Sequence, residues 1–227
     1  MTKWLASVKS LEEANTLLPL LPDILDMKDP TRGALGALPV EIVSQIVALI
    51  NGQCQTSATI GDLPMQADII TSAMIDMAAS GVDYVKIGLF PGDNLLNCIS
   101  ELADKVKSLK TPVIAVLFAD KMTDIECIQL LKSSGFQGVM VDTAIKNGQG
   151  LLDCWDSAQL TAFVNVARRH NMLCGLAGAL RIENIASLKP LMADYLGFRS
   201  ALCQENNRKM ELQLGLVRRV QDAISII

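Results

Sequence analysis

Along this chain, short apolar and β-branched runs alternate with longer segments whose apolar residues recur at helical spacing, and the alternation continues from end to end. The short runs fall at residues 4–8, 23–28, 55–60, 83–89, 112–118, 138–142, 173–178 and 195–200, and each reads as a strand. Helices are expected between and after them, over 11–21, 39–50, 67–81, 94–109, 124–135, 157–170, 181–192 and 209–225. Several of these close on glycine, after Ser80 and Ser134, and several open on a capping residue, as at Asp124 and Ser157. Strand followed by helix, repeated, implies a parallel sheet, because each return to the sheet needs a crossover. Eight units in 227 residues leave about 28 residues per unit, which suits a compact barrel. The expected fold is therefore α/β, a single (βα)8 TIM barrel, with residues 1–227 forming one domain. An open doubly wound sheet is the alternative, but no Gly-x-Gly-x-x-Gly follows an early strand.

Composition narrows what such a barrel could do. Half of the residues are hydrophobic and only 4% are aromatic, so the core should be aliphatic. A net charge of -4 without a dense basic stripe argues against a nucleic-acid partner. The N-terminus has no signal-peptide run, and no stretch approaches the ~18 apolar residues of a membrane span, so a cytoplasmic location without a membrane partner is expected. The six cysteines stand singly and read as reduced, small hydrophobes. His170, the only histidine, falls at a helix end, where a basic group complements the helix dipole. Neither a zinc site nor a Ser-His-Asp triad is readily built from this inventory, and no cofactor is expected.

The candidate chemistry starts at Asp26-Met27-Lys28-Asp29-Pro30, where a lysine between carboxylates ends the second strand. Strand alternation points Asp26 and Lys28 one way and Met27 the other. In a barrel the active site lies at the carboxyl ends of the strands. Lys86 lies late in the fourth strand, Asp142 ends the sixth, and Lys146 follows in Asp142-Thr143-Ala144-Ile145-Lys146. The lysines are 58 and 60 residues apart, close to two units each, so they are expected in one layer of the mouth. Like charges held together lower the pKa of at least one amine and leave it able to attack a carbonyl. Asp142 could exchange a proton in the same space. Thr59, Asp62 and Asp120 add polar groups to the rim, but a Thr in a strand and an Asp before a helix are ordinary structural choices.

The seventh and eighth strands run into Gly178-Ala179 and Arg199-Ser200. Small residues let backbone amides face a ligand there, at the usual phosphate corner of a barrel, and Arg199 stands where a bidentate phosphate partner would be wanted. The loop 204–209 could close over a ligand, and Asn147-Gly148-Gln149-Gly150 could serve as a lid.

The runs DMKDPTRGALGA (26–37), SATIGDLP (57–64), ADIITSAMIDMAASGVDYVKIGL (67–89), MVDTAIKNGQGLLD (140–153), LAGAL (176–180) and GFRSALC (197–203) resemble the (5-formylfuran-3-yl)methyl phosphate synthase family of methanofuran biosynthesis. The resemblance implies a TIM-barrel lyase that joins two molecules of glyceraldehyde 3-phosphate, with loss of one phosphate and of water, to close a furan ring. It implies Lys28 as the Schiff-base lysine, Lys86 as general base, and Asp142, Lys146 and Asp26 as further active-site residues. Its partners would be glyceraldehyde 3-phosphate and an enzyme-bound intermediate like dihydroxyacetone phosphate. The chain departs from the family pattern at Arg32, at Ala179 and over Arg199-Ser200-Ala201-Leu202, near the phosphate corner. Either Lys28 or Lys86 would be a competent amine on spacing alone. A generic Schiff-base aldolase, a sugar-phosphate isomerase and a non-catalytic barrel that binds phosphometabolites are the competing readings. Barrels of this composition associate through their helices, and a homo-oligomer is expected, with the apolar tail from Ile224 to Ile227 covered by a neighbour or by its own barrel base.

Overall fold

The computed structural model describes residues 2–121, 125–145 and 147–225. Asp124, Lys146, Ile226 and Ile227 therefore lie outside the described residues. Within them the eight expected runs form β1 (Lys3–Val8), β2 (Ile24–Met27), β3 (Gln55–Thr59), β4 (Tyr84–Gly88), β5 (Val113–Phe118), β6 (Gly138–Asp142), β7 (Leu173–Leu176) and β8 (Tyr195–Phe198). Each pairs in parallel with the next, and β8 closes on β1 from Lys3↔Tyr195 to Ala6↔Phe198. The expected eight-stranded α/β barrel is thus the observed one.

Outside it lie α1 (Leu11–Leu17), α2 (Val40–Ile50), α3 (Ala67–Ala78), α4 (Leu95–Ser108), α5 (Cys127–Ser133), α6 (Leu151–Cys154), α7 (Ser157–Arg169), α8 (Ile185–Leu188) and α9 (Leu214–Ser225). His170 caps the end of α7, as expected. Several expected helices are shorter than their apolar pattern. Pro19 and Pro190 lack the N–H that continues a helix, and each lies in a 3₁₀ turn, Leu18–Leu20 and Lys189–Leu191. The last helix starts at Leu214 rather than at 209, because Leu212 is drawn into an antiparallel bridge with Cys203. Conversely, α6 forms directly after the segment 147–150 and was not expected. No described helix is long and apolar enough to cross a membrane.

Two packed layers follow from alternation along the strands. Trp4, Ala6, Val8, Leu25, Met27, Val85 and Ile87 face the helices in the larger cluster. Leu5, Ile24, Val116, Phe118, Met140, Ala177 and Tyr195 fill the barrel, covered by Ala34 and Leu35 from the loop after β2. At the amino-terminal face, Asp23, Asp83 and Asp194 accept the amides of Trp4, Thr56 and Cys174. At the carboxyl-terminal face, Asp62 accepts those of Ala34 and Leu35, and Asp120 those of Ala144 and Ile145. Asp62 and Asp120 therefore hold loops in place, and Thr59 likewise donates its hydroxyl to the Gly36 carbonyl.

The loop after β2 turns through Pro30 and Gly33 to Gly36. A Cβ on Gly36 would lie 2.6 Å from the Arg32 carbonyl oxygen and also press on that of Asp29. Both are backbone atoms that cannot swing aside. Gly36→Ala is expected to lower stability by about 1–3 kcal/mol, read as a fall in the urea midpoint; an unchanged midpoint would show that this loop is free to re-form.

Candidate active site

The site is built upward from Asp26, which is fully buried at the middle of the barrel. Its neighbours on either side are Ser7 of β1 and Ser57 of β3, the register partners of the same residue. Ser7 donates to Asp26 Oδ2 at 2.9 Å and Ser57 to Oδ1 at 2.7 Å. Lys86, from β4, brings its Nζ to 2.7 Å from Asp26 Oδ1. A carboxylate with two hydroxyl donors and an ammonium is well satisfied. Burial pushes the Asp26 pKa up, but Lys86 and Lys28 outweigh it, so the group sits below its ordinary range.

Lys28 follows β2 and continues the ladder through its N–H to the Val8 carbonyl. Its side chain shares the inward face with Asp26, and Met27 faces the helices, as alternation requires. Lys28 Nζ lies 3.6 Å from Asp142 Oδ2, and Asp142 Oδ1 accepts the Thr143 amide at 2.7 Å. The two lysines therefore head two ion pairs that cross the barrel, one above the other. This corrects the expectation that the lysines share a layer. Lys86 meets Asp26, two residues below Lys28 on the same strand face, so it lies one layer deeper; its position near the middle of β4 rather than at its end accounts for the offset. For Lys86, burial is the largest influence and lowers its pKa, with Lys28 adding to the effect and Asp26 opposing it. Lys86 at the floor of the site therefore gives up its proton more readily than an ordinary lysine.

A cavity of about 360 Å³ opens above these pairs, walled by Gly178, Ala179 and Arg181 after β7, Arg199 and Ser200 after β8, and the loop 205–208. A second cavity of about 170 Å³ enters from the opposite end between Gln55, Tyr84 and Tyr195, and it too reaches Lys86. Of the expected residues, Asp26, Lys28, Lys86, Asp142, Gly178, Ala179, Arg199 and Ser200 all border the first cavity. Lys146 lies outside the described residues. The segment 147–150 is tied down at its end, where the Leu151 amide donates to the Gly178 carbonyl at 2.8 Å.

Arg199 departs from its expected task as the phosphate partner. It is buried, and both its Nη atoms bond Glu13 of α1, at 2.5 and 3.0 Å. The remaining N–H groups go to the carbonyls of Ser7, Arg208 and Met210. All five donors are engaged by protein, which leaves none for a bidentate phosphate contact. Sequence reading also passed over Glu13, Ser7 and Ser57. The serines carried a signal in strand alternation, since both fall on the inward face; Glu13 carried none, because a glutamate in a helix's first turn is ordinarily solvated. Among the described residues no group of three His, Cys, Asp or Glu could hold a metal ion.

The profile of the 4-HFC-P synthase family matches residues 4–221. A Methylorubrum extorquens protein that provisionally bears the name (5-formylfuran-3-yl)methyl phosphate synthase is 39% identical over 220 residues, covering 97% of this chain and 90% of that protein. The (5-formylfuran-3-yl)methyl phosphate synthase of Methanocaldococcus jannaschii is 31% identical over 223 residues, covering 92% and 95%. Among solved structures, 3-hexulose-6-phosphate synthase from Salmonella typhimurium superposes with a TM-score of 0.67 at 15% identity over 98% of both chains, a likeness of fold alone.

Because both partners are buried, Glu13→Ala leaves the Arg199 guanidinium without its countercharge in the interior. The substitution is expected to lower the free energy of unfolding by about 3–5 kcal/mol. Urea denaturation checks this, and a loss below about 1 kcal/mol would show that carbonyl acceptors alone hold Arg199.

Proposed function

The chain belongs to the 4-HFC-P synthase family, and from that premise we propose that it is a lyase that condenses two molecules of glyceraldehyde 3-phosphate into (5-formylfuran-3-yl)methyl phosphate, for methanofuran biosynthesis. The observation that carries this reading is the pair of amines held in one cavity at two depths, each beside a carboxylate.

Lys28 is the upper amine and the first that a triose phosphate entering the mouth would meet. Its attack on the carbonyl, with loss of water, forms an iminium that acts as the electron sink. Removal of the adjacent proton by Lys86 gives an enamine, the nucleophile for the aldehyde of the second triose phosphate. Burial supports the base role, because it lowers the pKa of Lys86, and Asp26 offers a place from which the proton is held once taken. Elimination of phosphate and water then requires an acid near the leaving oxygens. Asp142, 3.6 Å from Lys28, is our candidate for that acid, and Lys146, four residues on, is the second candidate. Hydrolysis of the last imine returns Lys28. In this scheme the iminium supplies the activation that a metal would otherwise provide.

Borohydride added with glyceraldehyde 3-phosphate is expected to leave a triose-derived mass on Lys28, located by peptide mass spectrometry. Label retained in Lys28→Ala and lost in Lys86→Ala would exchange the two roles, and no label in the unmodified protein would remove the imine from the mechanism. A furan aldehyde chromophore supports the family reaction, whereas a linear sugar as the only product would indicate an aldolase.

The rate is expected to rise with pH. Lys86 is protonated and inactive as a base below its own pKa and active above it, so the lowered value puts the midpoint of the rising limb below the 10.5 of an ordinary lysine. A limb centred at or above that value, measured on kcat, would remove Lys86 as the base.

A further inference from the structure

We propose that Arg208, on the loop after β8, is the residue that binds a substrate phosphate in this cavity, and that the buried Arg199–Glu13 pair is the positioning device that presents it. The inference rests on the triose phosphate reading above and names the anion-binding group that such a substrate requires.

A phosphate needs a cation at the mouth whose N–H groups are available. Lys28 and Lys86 are paired with carboxylates, Arg199 has every donor engaged, and Arg181, which also borders the cavity, is exposed, so a contact there is screened more. Arg208 borders the same cavity and is half-buried. One N–H of its Nη2 donates to the Gly33 carbonyl at 3.0 Å, and it makes no other hydrogen bond or ion pair among the described residues. A guanidinium carries five N–H donors in a planar fork, so the others are not spent on protein hydrogen bonds among the described residues, with Asp142, Asp62 and Asp29 near enough to act on its charge. Partial burial makes that fork more than a solvated surface charge, since a contact made there is screened less.

The loop that carries it is anchored by cations at three successive carbonyls. Arg199 Nε donates to the Arg208 carbonyl at 2.8 Å, Arg199 Nη2 to that of Met210 at 3.1 Å, and Lys9 Nζ to that of Lys209 at 2.8 Å. Lys9 is itself tied to α1, its amide donating to Glu13 Oε2 at 2.8 Å. The side chain of Arg208 then crosses to the loop after β2, at a point placed by Asp62, which holds the next two amides. Arg208 thus spans from the eighth to the second unit, above the side of the mouth where Lys28 stands. A phosphate seated on the fork would fix the triose with its carbonyl directed down toward the amines.

The test compares wild type with Arg208→Ala, Arg208→Lys and Arg181→Ala. Three readouts are used: calorimetric binding of inorganic phosphate, KM and kcat with glyceraldehyde 3-phosphate, and borohydride trapping with phosphorylated against unphosphorylated glyceraldehyde. Arg208→Ala is expected to weaken phosphate binding and raise KM by roughly tenfold or more, with a smaller change in kcat and no loss of trapping by unphosphorylated glyceraldehyde. Arg208→Lys should recover part of the loss, since an ammonium keeps the charge without the fork. Unchanged phosphate affinity in Arg208→Ala, an equal penalty for both aldehydes, or a loss confined to Arg181→Ala would each overturn the inference. If wild type binds phosphate through Arg208 but forms no furan, the inference stands while the proposed reaction falls. Furan formation with an unaltered KM in Arg208→Ala would have the opposite meaning.

Discussion

The carboxylate of Asp26 is the group around which the interior is arranged. An ionised carboxylate in a barrel core is tolerated only if its oxygens are filled, and here Ser7, Ser57 and Lys86 fill them from the flanking strands and from β4. The arrangement constrains three strands at once, because Ser7 and Ser57 are the register partners of Asp26 and a one-residue slip would turn either hydroxyl outward. Stability alone does not account for such a cluster. Burying charge costs about as much as the attraction returns, so an apolar layer would serve the fold as well. What the cluster achieves is a lysine held in place whose pKa is lowered by burial.

Above this layer the molecule anchors its loops through charged side chains rather than through additional secondary structure, and only the Glu13–Arg199 pair among them is buried. Asp62 and Asp120 each clamp two successive amides of a neighbouring loop, and the Glu13–Arg199 pair gathers the loop after β8 onto α1. The rim is therefore positioned by side chains bonded to backbone amides, to carbonyls and to one another. This separates two kinds of arginine that look alike in a linear chain. Arg199 is a structural tie with saturated donors, and Arg208, nine residues later, carries the open fork.

The barrel was legible in the chain because its cause is local. Eight apolar runs separated by helical segments leave few alternatives once each return must cross over, and the observed strands match those runs to within a few residues at their ends. Helix ends were less legible where Pro19, Pro190 and the Cys203–Leu212 bridge overrode the apolar period. The inward pairing of Asp26 with Lys28, and Met27 as packing, also follows from alternation alone.

Relative depth and donor occupancy could not be read that way. Lys28 and Lys86 look equivalent by spacing, yet the tilt and stagger of the strands set one a layer beneath the other. Arg199 looks like a phosphate partner until Glu13, 186 residues away in the chain, is brought against it. Periodicity along the chain determined the architecture, its motif runs carried the family resemblance, and strand alternation with strand order gave several of the residues that border the mouth. Tertiary structure decided which amine lies deep, which arginine is engaged and which is open, because those depend on distances between strands and loops that no local pattern encodes.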